Sequence, residues 1–345
     1  MTIHLLKFPY LVQKAIFVQL DISQMFILSL CSAKIYENIK NMCLKFTKII
    51  YEVFGNKTRV WVQNTSKRDQ FLIQLEAVEE FEGIDSLKVL QIAGIKFVCN
   101  CVKFSFLNLG PEWRVNTSIQ FRETNQDVQK TVHNHIFKLF KHNSHIDVEI
   151  DAENDSIGDF PNVPFATDIA LRGGQLQAIR LEEVLKKWPN QESILITSTI
   201  DGEIPEDSNI FQVKRLKFNK SNLAAPKFLE KFTGQIARLE NAMCNEQNVI
   251  KFLREWVTGN KFESLEVFTI QLAKGFLFNA DIVLGEFHEE ARRWDELRRS
   301  ENYEYCPNFS NFGVYDDFGI PCSFYCNDSN PNKKCFMNFI VSNYY

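Results

Sequence analysis

The chain has 345 residues, of which 45% are hydrophobic and 24% are charged. This composition is typical of a globular protein with one large or two ordinary domains. The formal net charge is −4, with acids and bases mixed along the chain, which argues against a protein that binds the phosphate backbone of nucleic acid or an anionic membrane. Nine cysteines are an odd number, and we interpret most of them as small buried residues rather than a disulfide framework.

The apolar start of the chain does not predict a secretory signal or a membrane span. Lys14, Gln19, Asp21 and Gln24 interrupt its apolar run, and Pro9 lies early in it. A signal core or a membrane helix needs a longer uninterrupted apolar stretch. We therefore expect an intracellular protein, in the cytoplasm, the nucleus or both.

Apolar residues recur at helical spacing over residues 8–46 and predict three short helices. Pro9 suits a first helical turn, and Asp21 with Gln24 has the pattern of a capping box at the start of the second helix. About forty residues in three helices enclose too little interior to fold alone. Their apolar surface therefore needs either the rest of the chain or another protein.

The same residues resemble a known family. Phe8-Pro9, Ile16, Leu20-Asp21 and residues 28–31 (Leu-Ser-Leu-Cys) are similar to the F-box in the form found in the large nematode-expanded group. The resemblance implies a three-helix F-box over residues 5–48 that docks on a Skp-type adaptor. The side chains that it implies for this contact are Phe8, Pro9, Val12, Ile16, Leu20 and Phe26.

Residues 49–151 predict a strand-rich region with one helix. Four segments are predicted as strands: 59–63, 71–75, 87–92 and 99–107. The first two form either a hairpin or two neighbouring strands. Helical spacing predicts a helix over 125–142, and a further strand follows at 146–150. The acidic, polar stretch 152–164 predicts a loop and a domain boundary.

Beyond this loop a six-residue strand template recurs. Its first, fourth and sixth positions are apolar, and the positions between them are spacers. It fits segments 166–171, 213–218 and 265–270, and in part 191–196 and 236–239. Its starts lie roughly 22 to 29 residues apart, as in leucine-rich repeats, and helices are predicted between them at 178–188, 226–232 and 246–257. We expect a mixed α/β fold, with an irregular leucine-rich-repeat-like domain over 160–285. An open α/β sheet is the alternative.

Five segments of this half resemble the F-box-associated domain (type 2) of the same nematode group: 160–163, 181–190, 200–204, 213–222 and 250–259. Together the two resemblances imply the non-catalytic substrate-recognition subunit of an SCF-type ubiquitin ligase. Its box would bind the adaptor, which connects to a cullin and a RING protein, and its second half would hold a protein target. Ile22 and Gln24 stand where the group usually has a proline and an acidic residue, so an F-box scaffold acting outside ubiquitination is the alternative.

The final region, 286–345, predicts a charged helix over 287–301, because charges of both signs alternate at helical spacing. Asn, Phe, Tyr, Cys and Pro then dominate the composition. We interpret residues 323–345 as a disordered tail or a gene-model error and assign them no function.

Two groups of residues are candidate metal ligands: His133, His135, His142 and His145, and Cys306, Cys322, Cys326 and Cys335. Of the cysteines, Cys322 and Cys326 alone have the close spacing of a zinc site, and His133 and His135 are two apart on a predicted helix and cannot face one ion. The sequence contains no phosphate-binding loop, dinucleotide fingerprint or nucleophile elbow. We predict no catalytic, cofactor or metal site; a metal-dependent enzyme is the third hypothesis.

Overall fold

The computed structural model divides the chain into two compact units, Met1–Thr167 (unit 1) and Asp168–Tyr345 (unit 2), and each is described by itself. Both combine helices with a sheet, so the predicted mixed α/β class is confirmed. No helix in the described ranges is both long and apolar enough to cross a membrane. The structure describes residues 5–42, 44, 46–64, 69–81, 87–92, 95–105, 115–122, 127–140, 145–151, 166–257, 261–262, 264–265, 267–273, 276–287, 291–293, 320–326 and 335–341.

Unit 1 begins with the three helices that the apolar spacing predicts. The predicted capping box is present at the start of the second helix, where the backbone N–H of Asp21 donates to Gln24 Oε1 at 3.1 Å. This bond satisfies an N–H group at the start of the second helix that would otherwise have no partner. After a short 3-10 helix at Leu5–Lys7, the helices are α1 Tyr10–Val18, α2 Ile22–Cys31 and α3 Ala33–Lys40.

A mixed sheet forms the rest of unit 1, together with helix α4 at Asp127–Phe140. Its strands lie in the order β7-β1-β2-β3-β6-β5-β4. The pairs β1/β7 and β3/β6 are parallel and the other neighbours are antiparallel, so of the two arrangements predicted for 59–63 and 71–75 the hairpin is confirmed. The strands are β1 Phe46–Phe54, β2 Lys57–Asn64, β3 Asp69–Val78, β4 Leu87–Ile92, β5 Ile95–Ser105, β6 Val115–Arg122 and β7 His145–Asp151.

The helices of unit 1 pack on this sheet and on each other. Helix α2 contacts β3 and β4, and α3 contacts α1, α2 and α4. Over β1, the Phe140 ring of α4 meets the Phe46 ring edge to face at 4.9 Å. The segment 5–48 therefore shares one core with the strand-rich region. Both the predicted boundary loop, 152–164, and the last two residues of the strand predicted at 99–107 lie outside the described residues.

Unit 2 is built on a large, mostly parallel sheet. Five of its strands lie side by side in the same order as along the chain, β8-β10-β12-β13-β14, and all are parallel. These strands are β8 Asp168–Arg172, β10 Ser193–Ile196, β12 Arg215–Phe218, β13 Ile236–Ala242 and β14 Val267–Leu272. The short strands β9 Gln175–Gln177 and β11 Thr199–Asp201 pair in parallel, and the helices are α5 Ala178–Lys187, α6 Ala225–Lys231, α7 Glu246–Val257 and α8 Ala280–Glu286.

Two buried apolar rows cross this sheet, because the register sets equivalent template residues side by side. The rows are Ile169, Ile194, Leu216, Ala237 and Phe268, and Leu171, Ile196, Phe218, Leu239 and Ile270. Helices cover them through aromatic contacts such as Phe218 with Phe228, at 5.8 Å between ring centroids. The template is thus confirmed in four strands. In β13 the row residues are Ala237 and Leu239, whereas Ile236, which the template predicts as buried, is half-buried.

The last described segments differ from the prediction. Within the predicted charged helix, Ala291–Arg293 forms a strand, β15, paired antiparallel to β16 at Ile320–Cys326. Within the predicted disordered tail, Cys335–Val341 forms β17, which pairs with β16 and adds parallel to β14. The physical reason is that an edge strand leaves backbone N–H and C=O groups unpaired, and pairing with them outweighs local helical spacing.

Candidate functional site

Helix α1 buries an amide beside one aromatic ring and leaves most of its large aliphatic side chains exposed. Gln13 and Phe17, four residues apart and so on one side of the helix, are its buried residues. Leu11, on the opposite side, is 76% exposed. A helix that packs only within its own chain normally buries the apolar stripe and exposes the amide.

The buried amide of Gln13 fixes the segment before the helix. Its Nε2 donates to the Phe8 carbonyl at 2.6 Å, and its Oε1 accepts from Asn38 Nδ2 of α3 at 2.7 Å. The Phe8 N–H also donates to the Leu5 carbonyl at 3.2 Å. The exposed ring of Phe8 is therefore presented by a backbone that is held at both ends.

Large apolar side chains cover the outward side of this region, which we call the α1 surface: Phe8, Tyr10, Leu11, Val12 and Val18 are all exposed. Lys14 is the one charged residue in the helix. The cores of protein interfaces are depleted of charge and enriched in aromatic side chains. This surface has the chemistry of an interface core rather than that of an ordinary solvent-exposed helix.

The structure brings together most, but not all, of the residues predicted to contact an adaptor. Phe8, Pro9 and Val12 are exposed on the α1 surface, and Ile16 and Leu20 are half-buried at its border. Phe26 is fully buried, with its ring meeting the His135 ring edge to face at 5.8 Å. The motif did not single out Tyr10, Leu11 and Val18. For Leu11 and Val18 the signal is their position on the helix away from Gln13 and Phe17, whereas Tyr10 lies three residues before Gln13 and is exposed at the first helical position.

Two of the candidate histidine ligands are buried and hydrogen-bonded to different partners. His133 Nδ1 lies 2.5 Å from the hydroxyl of Tyr51, and His135 Nε2 lies 2.8 Å from the hydroxyl of Ser29 in α2. Burial lowers the pKa of both imidazoles to about 4, and for His135 the charge of Lys138 adds to this effect. Both rings are neutral near pH 7 and connect α4 to β1 and to α2.

The other candidate ligands do not assemble into a site within the described residues. His145 is exposed at the start of β7, and His142 and Cys306 lie outside the described ranges. Among the residues that the structure describes, no group of three or more His, Cys, Asp or Glu side chains is placed to hold a metal ion. Cys244 is buried, as predicted for most cysteines, and burial raises the pKa of its thiol to about 12.

No family model, no curated protein and no solved structure matches this chain. The F-box and F-box-associated resemblances therefore stay predictions from the residues that carry them. The structure itself defines a mixed α/β chain of two units whose first helix presents an apolar surface outward.

Proposed function

We propose that this chain is the non-catalytic substrate-recognition subunit of an SCF-type ubiquitin ligase. In this proposal the α1 surface docks on a Skp-type adaptor and unit 2 holds a protein target. The observation that supports it best is the outward apolar side of α1, since it lies in the segment that resembles the adaptor-binding box. When a partner covers exposed apolar side chains, the binding free energy becomes more favourable by about 25 cal/mol per Å² of apolar surface removed from water.

The docking surface is already formed in the free chain. Gln13 holds the Phe8 backbone and connects α1 to α3, so little conformational entropy would be lost when a partner covers the rings. Interfaces preorganised in this way bind more tightly for the same contact area. Phe26 lies in the core of unit 1, and in our proposal it supports α2 without touching the adaptor.

Unit 2 supplies the second half of the proposal. Its successive strand and helix segments support an irregular leucine-rich-repeat-like arrangement, in which each segment buries its apolar row against the next. The residue after β12 is also connected to the end of β13, since Asn241 Nδ2 donates to the Asn219 carbonyl at 2.7 Å. Such a stack offers a broad, rigid platform for a protein target.

The chain would promote ubiquitin transfer without a nucleophile of its own. A receptor that holds a target beside a charged ubiquitin-conjugating enzyme converts a bimolecular encounter into an intramolecular one. The gain is an effective concentration rather than a new bond-making group. In this role the chain needs two binding surfaces and no cofactor.

Adaptor affinity tests the docking half directly. We expect the double variant Leu11→Ser, Val12→Ser to bind a purified Skp-family adaptor at least about tenfold more weakly by calorimetry, because each buried aliphatic side chain contributes about 1.5 kcal/mol or more. The matched control is Ile179→Ser, which changes a side chain that is 66% exposed in unit 2. Unchanged affinity of the double variant would show that the adaptor does not bind through the α1 surface.

Cullin recruitment separates the proposal from the scaffold alternative. The full chain is captured from cells with the proteasome blocked, beside the same chain carrying Leu11→Ser and Val12→Ser. Adaptor and cullin captured together, and both lost in the variant, support the ligase subunit. Adaptor without cullin supports a scaffold that acts outside ubiquitination.

A further inference from the structure

Unit 2 contains a cavity of about 710 Å³ that no part of the proposed adaptor docking uses. It lies between the segments that follow β11 and β12 and the helices α6 and α7. Its floor is apolar and buried, with Phe218, Leu229 and Phe252. Its volume falls within the roughly 300–1,000 Å³ of pockets that bind small ligands, so it has room for several residues of a bound peptide.

An exposed leucine stands at the rim on a turn that the backbone holds rigidly. Leu223 is 79% exposed. Before it, the Ser221 N–H donates to the Glu240 carbonyl at 3.0 Å, and the Asn222 carbonyl accepts from the Met243 N–H at 3.0 Å. Because the backbone before Leu223 is bonded to Glu240 in β13 and to Met243 directly after that strand, the turn fixes where Leu223 stands on the rim.

Apart from Lys220, the charged side chains that line the cavity all form ion pairs, Glu255 with Lys261 outside it and the others with one another. Lys251 Nζ lies 3.0 Å from Glu230 Oε1, across from α7 to α6. Lys227 Nζ lies 3.1 Å from Glu203 Oε1 and donates to the Ile204 carbonyl at 2.5 Å. In the part of the chain that the structure describes, Lys220 forms no ion pair, although it is exposed and lines the same cavity.

We infer that this cavity is where unit 2 holds its target, and that it takes an extended peptide segment carrying one apolar side chain and a nearby carboxylate. The apolar side chain would enter the cavity beside Leu223, backbone atoms of the same segment would take up part of the remaining space, and the carboxylate would pair with Lys220. These two residues are three apart, so their Cα atoms lie within about 10 Å. The acidic residue of the target should therefore follow or precede the apolar one within about three positions. The inference rests on the proposed function for its biological role, but the binding itself requires no adaptor.

A peptide display library of random 12-residue sequences tests the inference with the full chain as bait. We expect enriched peptides to share an apolar residue with Asp or Glu within three positions. Lys220→Glu should shift the enriched sequences toward Lys or Arg at that position, because the sign of the exposed charge is reversed. Leu223→Ser should weaken the affinity of the chain for the selected peptides about tenfold.

Two controls keep these outcomes interpretable. Ile179→Ser changes another exposed aliphatic side chain, outside the cavity, and Lys214→Glu reverses the charge of an exposed lysine that does not line it. Both should leave the enriched sequences and their affinities unchanged, and circular dichroism should show that every variant is folded. Absence of enrichment, enriched peptides without an acidic residue, or enriched peptides insensitive to Lys220→Glu and Leu223→Ser would overturn the inference.

The result is independent of the adaptor experiment. If the peptides are selected as expected but the adaptor does not bind, unit 2 is a peptide-binding module and the ligase proposal fails. If the adaptor binds but no peptide is selected, the ligase proposal stands and the target contacts another surface.

Discussion

Helices α1 and α2 are neighbours of similar length and similarly apolar composition, yet they orient their side chains oppositely. Helix α2 buries Ile22, Met25, Phe26 and Leu30, whereas the large aliphatic residues of α1 lie mostly outside. The difference follows from what each helix packs on, since α2 contacts strands β3 and β4 and α1 contacts α3. A sheet offers a wide apolar face that covers a whole stripe, and the edge of one helix covers less.

The buried polar residue of each helix shows the same contrast. In α2 the hydroxyl of Ser29 reaches His135 within an apolar core, so the polar contact locks a helix that is already covered. In α1 the amide of Gln13 is itself a main attachment, through Phe8 and Asn38. Helix α2 is thus part of the core of unit 1, whereas α1 contacts the rest of the unit through few buried side chains and leaves its apolar side exposed.

Phe26→Ala should be the most destabilising change in α2, where it removes the one fully buried ring of the helix. The ring is 0% exposed, and removing a buried phenylalanine typically costs about 3–5 kcal/mol of unfolding free energy because a cavity remains. Urea denaturation, with unit 1 followed through hydrogen exchange of peptides from β1–β3, measures it. A cost below that of Gln13→Ala would show that α2 is no more deeply embedded than α1.

Acid should weaken the attachment of α2 before it affects the α1 surface. The folded-state pKa of His133 and of His135 is about 4, below the usual value of about 6.5, so the unfolded chain binds more protons between these values. Stability is therefore fully present above about pH 6.5 and is lost as the pH falls toward 4, by about 1–2 kcal/mol per histidine at pH 5.

Unfolding of unit 1 measured from pH 7 to pH 4.5 checks this, beside the double variant His133→Gln, His135→Gln. The variant keeps a polar side chain at both positions but does not titrate. We expect its unfolding free energy to change much less over this interval than that of the natural chain. Parallel pH profiles for the two proteins would assign the acid sensitivity to other groups.

Gln13→Ala should have an intermediate effect and should act on binding as well as on stability. The change leaves the Phe8 carbonyl and the Asn38 amide without their partner, which costs about 1–2 kcal/mol. It should also weaken adaptor binding, since Phe8 is no longer held. Gln19→Ala, at an exposed glutamine directly after the helix, is the control and should be neutral in both assays.

Leu11→Ala should have the smallest effect on stability, within about 0.5 kcal/mol, because the side chain is 76% exposed. The same denaturation assay measures it. A loss close to that of Phe26→Ala would mean that α1 packs against its own chain through this side, and the docking proposal would then lose its main support.

Periodicity in the sequence was sufficient for much of the fold. The three helices, the β2/β3 hairpin and the buried rows of unit 2 follow from local spacing, since each face meets a neighbour of matching chemistry. Strand β1 was missed although Phe46, Ile49, Tyr51 and Val53 are buried. An irregularity between Phe46 and Lys48 shifts the register by one residue and breaks the alternation at its start.

The site was harder to predict than the fold, because burial depends on distant partners. The motif placed Phe26 with Phe8 and Val12, but α2 packs on strands some fifty residues later in the chain. The spacing of residues within one helix does not indicate contacts with such distant strands. The same limit applies to the charged segment near Ala291–Arg293, where pairing with β16 decides the backbone conformation. Side chains that face a partner molecule leave no trace in the spacing of a single sequence.

The narrow attachment of α1 also has a consequence for motion. Two of its nine residues, Gln13 and Phe17, are buried, against six of the ten residues of α2, so opening α1 exposes less buried surface than opening α2. Its amide hydrogens should exchange with solvent through a local opening that costs much less free energy than the opening of α2. A bound partner would slow that exchange in α1 first, which makes the helix a built-in reporter of occupancy.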